Sequence, residues 1–139
     1  MKTHVEFRSD AFPAYPGEED ETNPDCYGKR LAEYVSVALR QHGYETTVPI
    51  AEDWGWVVSI KNESFPLWVG CGIYAEDEDG FLCFIEPHKP FIRRWFKKID
   101  TRARVRALQV ALDKILSAHS QVRQIRWWTH EEFNHPTST

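Results

Sequence analysis

Six histidines, three cysteines and twenty-one carboxylates are the groups in this chain that could ligate a metal, attack a carbonyl or move a proton. Their spacing decides among those uses. His4, His42, His88, His119, His130 and His135 are scattered, with no pair at the separation of a known ligand motif. Zinc normally takes three or four converging donors, so no metal site is expected. Cys26, Cys71 and Cys83 form no C-x-x-C. A helix N-terminus acidifies a thiol, which singles out Cys26, but no evident histidine partner would make it a nucleophile. There is no G-x-S-x-G elbow. The carboxylates come in runs, Glu18 to Glu21 and Glu76 to Asp79, that read as solvated loops without the apolar pocket that raises one pKa for acid catalysis. Gly70-Cys71-Gly72 lacks the third glycine and following helix of a phosphate cradle. No catalytic residue and no cofactor is expected, and the reading leans away from an enzyme.

Recognition leaves clearer marks. In Glu52-Asp53-Trp54-Gly55-Trp56, a strand period of two places Trp54 and Trp56 on one face. Two readings stand: indoles anchoring a hairpin to the core, or a rigid aromatic patch rimmed by acids that receives a partner protein. The candidate partner-binding set is Glu18, Glu19, Asp20, Glu21, Glu52, Asp53, Trp54 and Trp56. Trp68, Tyr74 and Phe84 would extend it if no helix covers that side. The expected partner is another protein, of basic character.

A second candidate is the basic stretch from Lys89 to Arg106, with eight cations and one acid interleaved with Phe91, Trp95 and Phe96. Cations meet phosphates and rings meet bases, so Arg93, Arg94, Lys97, Lys98, Arg102 and Arg106 form an alternative nucleic-acid patch. Against it, the rings fall at helical spacing and so read as anchors to a sheet, and the whole chain is acidic at −4. A membrane-surface role for this short segment is weaker still.

Charge is strongly segregated. Residues 1–90 hold seventeen acids and seven bases, whereas 91–126 hold ten bases and two acids. That asymmetry can build a binding face or be neutralised within the fold. No apolar run is long enough to span a membrane, the first residues lack a secretory pattern, and the odd cysteine count argues for a reducing compartment. The expected address is the cytoplasm.

The elements that would position these groups follow from periodicity. Thr3 to Ser9 alternates as a half-buried strand. Asn23-Pro24 reads as a helix opening, followed by an apolar stripe of Leu31, Tyr34, Val35, Ala38 and Leu39 and a Gly43 stop. Tyr44 to Ile50 and Trp54 to Lys61 read as one hairpin. Leu67 to Ala75 and Gly80 to Glu86 read as another, with Val69 opposite Ile85, Cys71 opposite Cys83, Ile73 opposite Phe81, Gly70 opposite Phe84 and Gly72 opposite Leu82. Ile92, Trp95, Phe96 and Ile99 mark a short amphipathic turn. A second helix is expected over about Arg102 to Ala118 and a last strand over Gln121 to Thr129. The order β-α-β-β-β-β-α-β predicts an α+β two-layer sandwich: a mainly antiparallel sheet of five to six strands with two main helices. Residues 1–130 form one domain in this reading, and 131–139 a flexible tail.

The segment Glu21-Thr22-Asn23-Pro24-Asp25-Cys26-Tyr27-Gly28-Lys29, with Gly43-Tyr44 and Glu52-Asp53-Trp54-Gly55-Trp56, resembles a family of small uncharacterised bacterial proteins over about residues 20–60. The resemblance implies a fold and no activity. More loosely, a small acidic α+β domain with exposed tryptophans is similar to toxin-immunity proteins, an analogy of fold and composition.

Overall fold

The computed structural model describes residues 1–74 and 79–135. Its strands are β1 (Lys2–Ser9), β2 (Ile50–Glu52), β3 (Gly55–Ile60), β4 (Leu67–Ile73), β5 (Gly80–Glu86), β6 (Phe91–Arg94), β7 (Lys97–Asp100) and β8 (Val122–Thr129), and its helices are α1 (Lys29–Gln41), α2 (Arg102–Ala118) and α3 (His130–Asn134). Six strands form one antiparallel sheet in the order β2-β3-β4-β5-β1-β8, and β6 and β7 pair separately. The α+β class, the antiparallel sheet and the two long helices agree with the sequence reading. No helix among the described residues is long and apolar enough to cross a membrane.

Alternation along the strands sends Val5, Phe7, Trp56, Val58, Ile60, Leu67, Val69, Cys71, Phe81, Cys83 and Ile85 to one face, where all are buried. Against that face pack Leu31, Val35 and Leu39 of α1 and Val105, Leu108, Leu112, Ile115 and Leu116 of α2. Burying these branched side chains is the main favourable term in folding. The register of β4 on β5 is the expected one at all five pairs, Val69–Ile85, Cys71–Cys83, Ile73–Phe81, Gly70–Phe84 and Gly72–Leu82. Of the turn anticipated through Glu76-Asp77-Glu78-Asp79, residues 76–78 lie outside the described residues, and Asp79 accepts from Arg8 (2.7 Å) and Arg123 (2.6 Å).

Four local expectations are corrected. The helix after Asn23-Pro24 starts only at Lys29, because Asp25 has φ +62° and Gly28 φ +146°, and the Asn23 N–H donates to the Asp53 carbonyl instead (3.0 Å). Gly28 permits that entry: a Cβ there would fall 2.7 Å from the Cys71 carbonyl oxygen. Cys26 accordingly stands before the helix and not at its first turn. Second, Tyr44 to Ile50 is mostly irregular, with a lone bridge from Thr46 to Ile60, and only Ile50–Glu52 pairs as a strand.

Third, Pro87 to Asp100 contains no helical turn. Ile92 pairs with Ile99 across the β6–β7 ladder, and Trp95 and Phe96 form the two-residue turn, Trp95 at φ +61°. Fourth, the segment from residue 131, expected as a tail, begins with a helical turn. Thr129 and Glu132 cap it reciprocally, side chain to backbone in both directions, which is the capping-box arrangement.

Candidate functional site, the open face of the sheet

The face opposite α1 and α2 carries His4 and Glu6 from β1, Trp68 from β4, Leu82, Phe84 and Glu86 from β5, and Arg126 and Trp128 from β8. Of these, the His4–Phe84, His4–Trp128, Glu6–Leu82, Glu6–Arg126 and Trp68–Glu86 pairs are direct cross-strand neighbours. Both long helices occupy the other side, and among the described residues α3 is the helix that reaches this one, with Phe133 stacked on His4 (5.0 Å between centroids). His4 is buried and Arg126 exposed, and the other side chains of this set are half-buried, which leaves aromatic surface available at Trp68, Phe84 and Trp128.

Trp54 belongs to this face, and Trp56 does not. β3 begins at Gly55, so Trp54 lies in the β2–β3 turn and folds back over the open side. Its ring sits 5.0 Å from Phe84 and 6.1 Å from Trp68. Trp56 points into the core at 3% exposure, whereas Trp54 is 39% exposed. The period-two argument failed because it assumed both residues were in one strand.

Glu18 is likewise not a surface acid. It is 2% exposed, and its Oε2 accepts from the Gly28 N–H (2.8 Å), the Lys29 N–H (3.1 Å) and Trp56 Nε1–H (3.0 Å), while Oε1 accepts from the Tyr15 N–H (3.1 Å). It thereby satisfies orphan donors at the start of α1 and complements the helix dipole. Glu18 and Trp56 hold the fold together and leave the binding set.

The remaining acids do converge. Glu19, Asp20, Glu21, Glu52 and Asp53 are exposed, and the Asn23–Asp53 backbone bond ties their two loops side by side. Tyr27 donates its hydroxyl to Glu19, which pushes the phenol up to about 12. Lys29 reaches Glu21 at 3.4 Å. The turn bearing Trp54 therefore stands beside an acidic corner.

From Trp54 the rings continue across the face. Phe84 stacks on His4 (5.5 Å), His4 touches His130 (5.3 Å), and His130 stacks on His88 (3.6 Å). Glu86 holds the His88 Nδ1 at 2.9 Å. Burial, with the neighbouring His130 and His88, lowers His4 to about 4, and burial lowers His130 also. One ligand atom each from Glu86, His88 and His130 lie within 4.8 Å of one another. Sequence spacing concealed this cluster, because β5, the loop after it and the start of α3 each contribute one residue. Nearby, Glu6, Tyr74 and Arg126 line a depression of about 290 Å³.

No protein-family model, curated protein or solved structure matches this chain. The site's meaning therefore rests on its own geometry.

The basic segment is separate from this face. Arg93, Arg94, Lys97, Lys98, Arg102 and Arg106 are all exposed. Trp95 and Phe96, expected as anchors, project from the hairpin tip at 89% and 97% exposure. Phe91 instead lies beneath Lys98 and Arg102, at 4.4 and 4.8 Å from its centroid.

Proposed function

We propose that the protein is a non-enzymatic interaction module whose open sheet face receives another protein. The observation that carries this reading is the Trp54–Trp68–Phe84 cluster, left uncovered by both long helices and standing beside Glu19, Asp20, Glu21, Glu52 and Asp53. Large, rigid aromatic surface next to fixed charge is what binding hot spots use, since little side-chain entropy is lost on contact. The acids select the partner's chemistry: a basic segment carrying apolar side chains. Acidic steering would raise its association rate and make that rate salt-dependent.

An immunity- or antitoxin-like role in a reducing cytoplasm is the most concrete form of this proposal. Three free thiols are in keeping with that compartment. Its test is a Trp54→Ala/Trp68→Ala double variant, used with Glu52→Gln/Asp53→Asn. Both should keep the far-UV spectrum of the native chain and lose a salt-sensitive basic partner that the native chain retains. A partner held equally by both variants would refute the face. Trp56→Ala is unsuitable because it opens the core.

A second reading has its own support, the projecting Trp95-Phe96 tip between Arg93-Arg94 and Lys97-Lys98. Rings free to stack beside exposed cations fit single-stranded nucleic acid. That reading predicts affinity for an oligonucleotide that falls steeply with salt. An oligo-dT or oligo-U titration at low salt showing no binding would end it.

A further inference from the structure

We propose that Glu86, His88 and His130 form a binding site for a divalent transition ion of the zinc class, and that the ion fastens α3 to the sheet. The donor set is two imidazole nitrogens and one carboxylate oxygen, which suits zinc, cobalt or nickel better than the oxygen-seeking calcium and magnesium.

Geometry brings the donors near the required spacing. Their ligand atoms lie within 4.8 Å of one another. Donors about 2.0–2.2 Å from a tetrahedral zinc stand roughly 3.3–3.5 Å apart. Closing that difference requires the stacked His88 and His130 rings, 3.6 Å between centroids, to turn so that a nitrogen of each faces the ion. All three side chains are half-buried, so an ion can enter and still be partly shielded from water.

The surroundings resemble those of a held metal. His88 Nδ1 faces both oxygens of Glu86, at 2.9 and 3.0 Å, which fixes the imidazole's orientation. Glu86 is itself one of the proposed donors, so this contact already brings a carboxylate oxygen and an imidazole of the set together. Behind His130 stands His4, buried between Phe84 and Phe133, a third imidazole lining the same wall. Three protein donors leave a coordination position for water or for a group brought by a partner.

The consequence follows from where the ligands sit. Glu86 ends β5, His88 follows it, and His130 opens α3. An ion bridging them would pin the short α3, and with it Phe133 over His4 and Tyr74. Binding free energy realised only in the folded state adds to stability.

The test uses the full chain stripped with EDTA, titrated with Zn²⁺ by calorimetry and with Co²⁺ by visible absorption. One equivalent of Zn²⁺ should bind and raise the melting temperature, and Co²⁺ should give the intense bands of a four-coordinate site. His88→Gln, His130→Ala and Glu86→Gln should each weaken Zn²⁺ binding by at least about 10- to 100-fold, the loss that removing even an outer partner of a metal site causes. His119→Ala, away from the cluster, should leave the Zn²⁺ affinity unchanged. No binding to the native chain would leave an ordinary Glu86–His88 pair and overturn the proposal. Undiminished binding by a folded His88→Gln/His130→Ala variant would overturn it equally.

Discussion

A Cβ built on Gly70 would fall 2.4 Å from Cζ of Phe84, so the Phe84 ring occupies the space that Gly70 leaves empty across the β4–β5 ladder. The same imagined Cβ would lie 2.8 Å from Cη2 of Trp54. Gly70 is thus the floor on which both rings of the open face rest. Gly70→Ala should displace the ring ends at a stability cost near the lower end of about 1–3 kcal/mol. It should weaken partner binding more than it weakens the fold. Urea denaturation beside a binding isotherm separates the two.

Glu18 makes the opposite prediction. Its carboxylate accepts from three backbone N–H groups and one indole in a dry setting. Glu18→Ala strands those donors and should cost roughly 3 kcal/mol or more. Glu19→Gln, Asp20→Asn and Glu21→Gln, on exposed side chains, should each stay within about 0.5 kcal/mol. Chemical denaturation of the four variants checks the contrast.

The hairpin tip carries a testable strain. Trp95 holds φ +61° with its side chain almost wholly in solvent. A left-handed conformation costs an L-residue about 1–2 kcal/mol, and glycine adopts it freely. Trp95→Gly should therefore leave the melting temperature unchanged or raise it, glycine's greater unfolded entropy offsetting part of the gain. A marked fall would mean that the ring packs against the body of the protein.

Asp100 links α2 to pH. Its carboxylate accepts from the Arg102 N–H (3.0 Å) and from the Arg102 guanidinium (2.8 Å at the closest), and those bonds lower it from 3.8 to about 2. A depressed folded pKa gives stability that is present above the unfolded value and lost as pH falls through the folded one. The stability difference between native chain and Asp100→Asn should then be constant above about pH 4.5 and shrink steadily toward pH 2. Thermal melts across that range measure it.

The legible parts of the fold were those in which side-chain period and local chemistry agree. β4 and β5 could be registered because each glycine faces a bulky partner, and a one-residue slip would have turned Val69, Cys71 and Ile85 to the open side. α2 and the end of α1 at Gly43 follow from an apolar stripe and a glycine stop. The failures share one cause, contacts remote in sequence. α1 takes its cap from Glu18 and not from the adjacent Asn23. Ile92, Trp95, Phe96 and Ile99 fit a helical repeat as well as a hairpin, and the β6–β7 turn lacks the glycine or asparagine that usually announces one. The acidic corner was readable as composition, but its approach to Trp54 was not. The histidine cluster exists only once β5, β1 and α3 are in place.

The central claim is that the open face is where another protein docks. Photo-cross-linking tests it most directly, with a benzoyl-phenylalanine at Ser59, which pairs with Trp68 across β3 and β4, and a control at Val110, exposed on α2. In a lysate of the source organism, Ser59 should capture a discrete basic protein, and Trp54→Ala or added salt should abolish the product. Capture at Val110 but not at Ser59, or no product from either, would contradict the account.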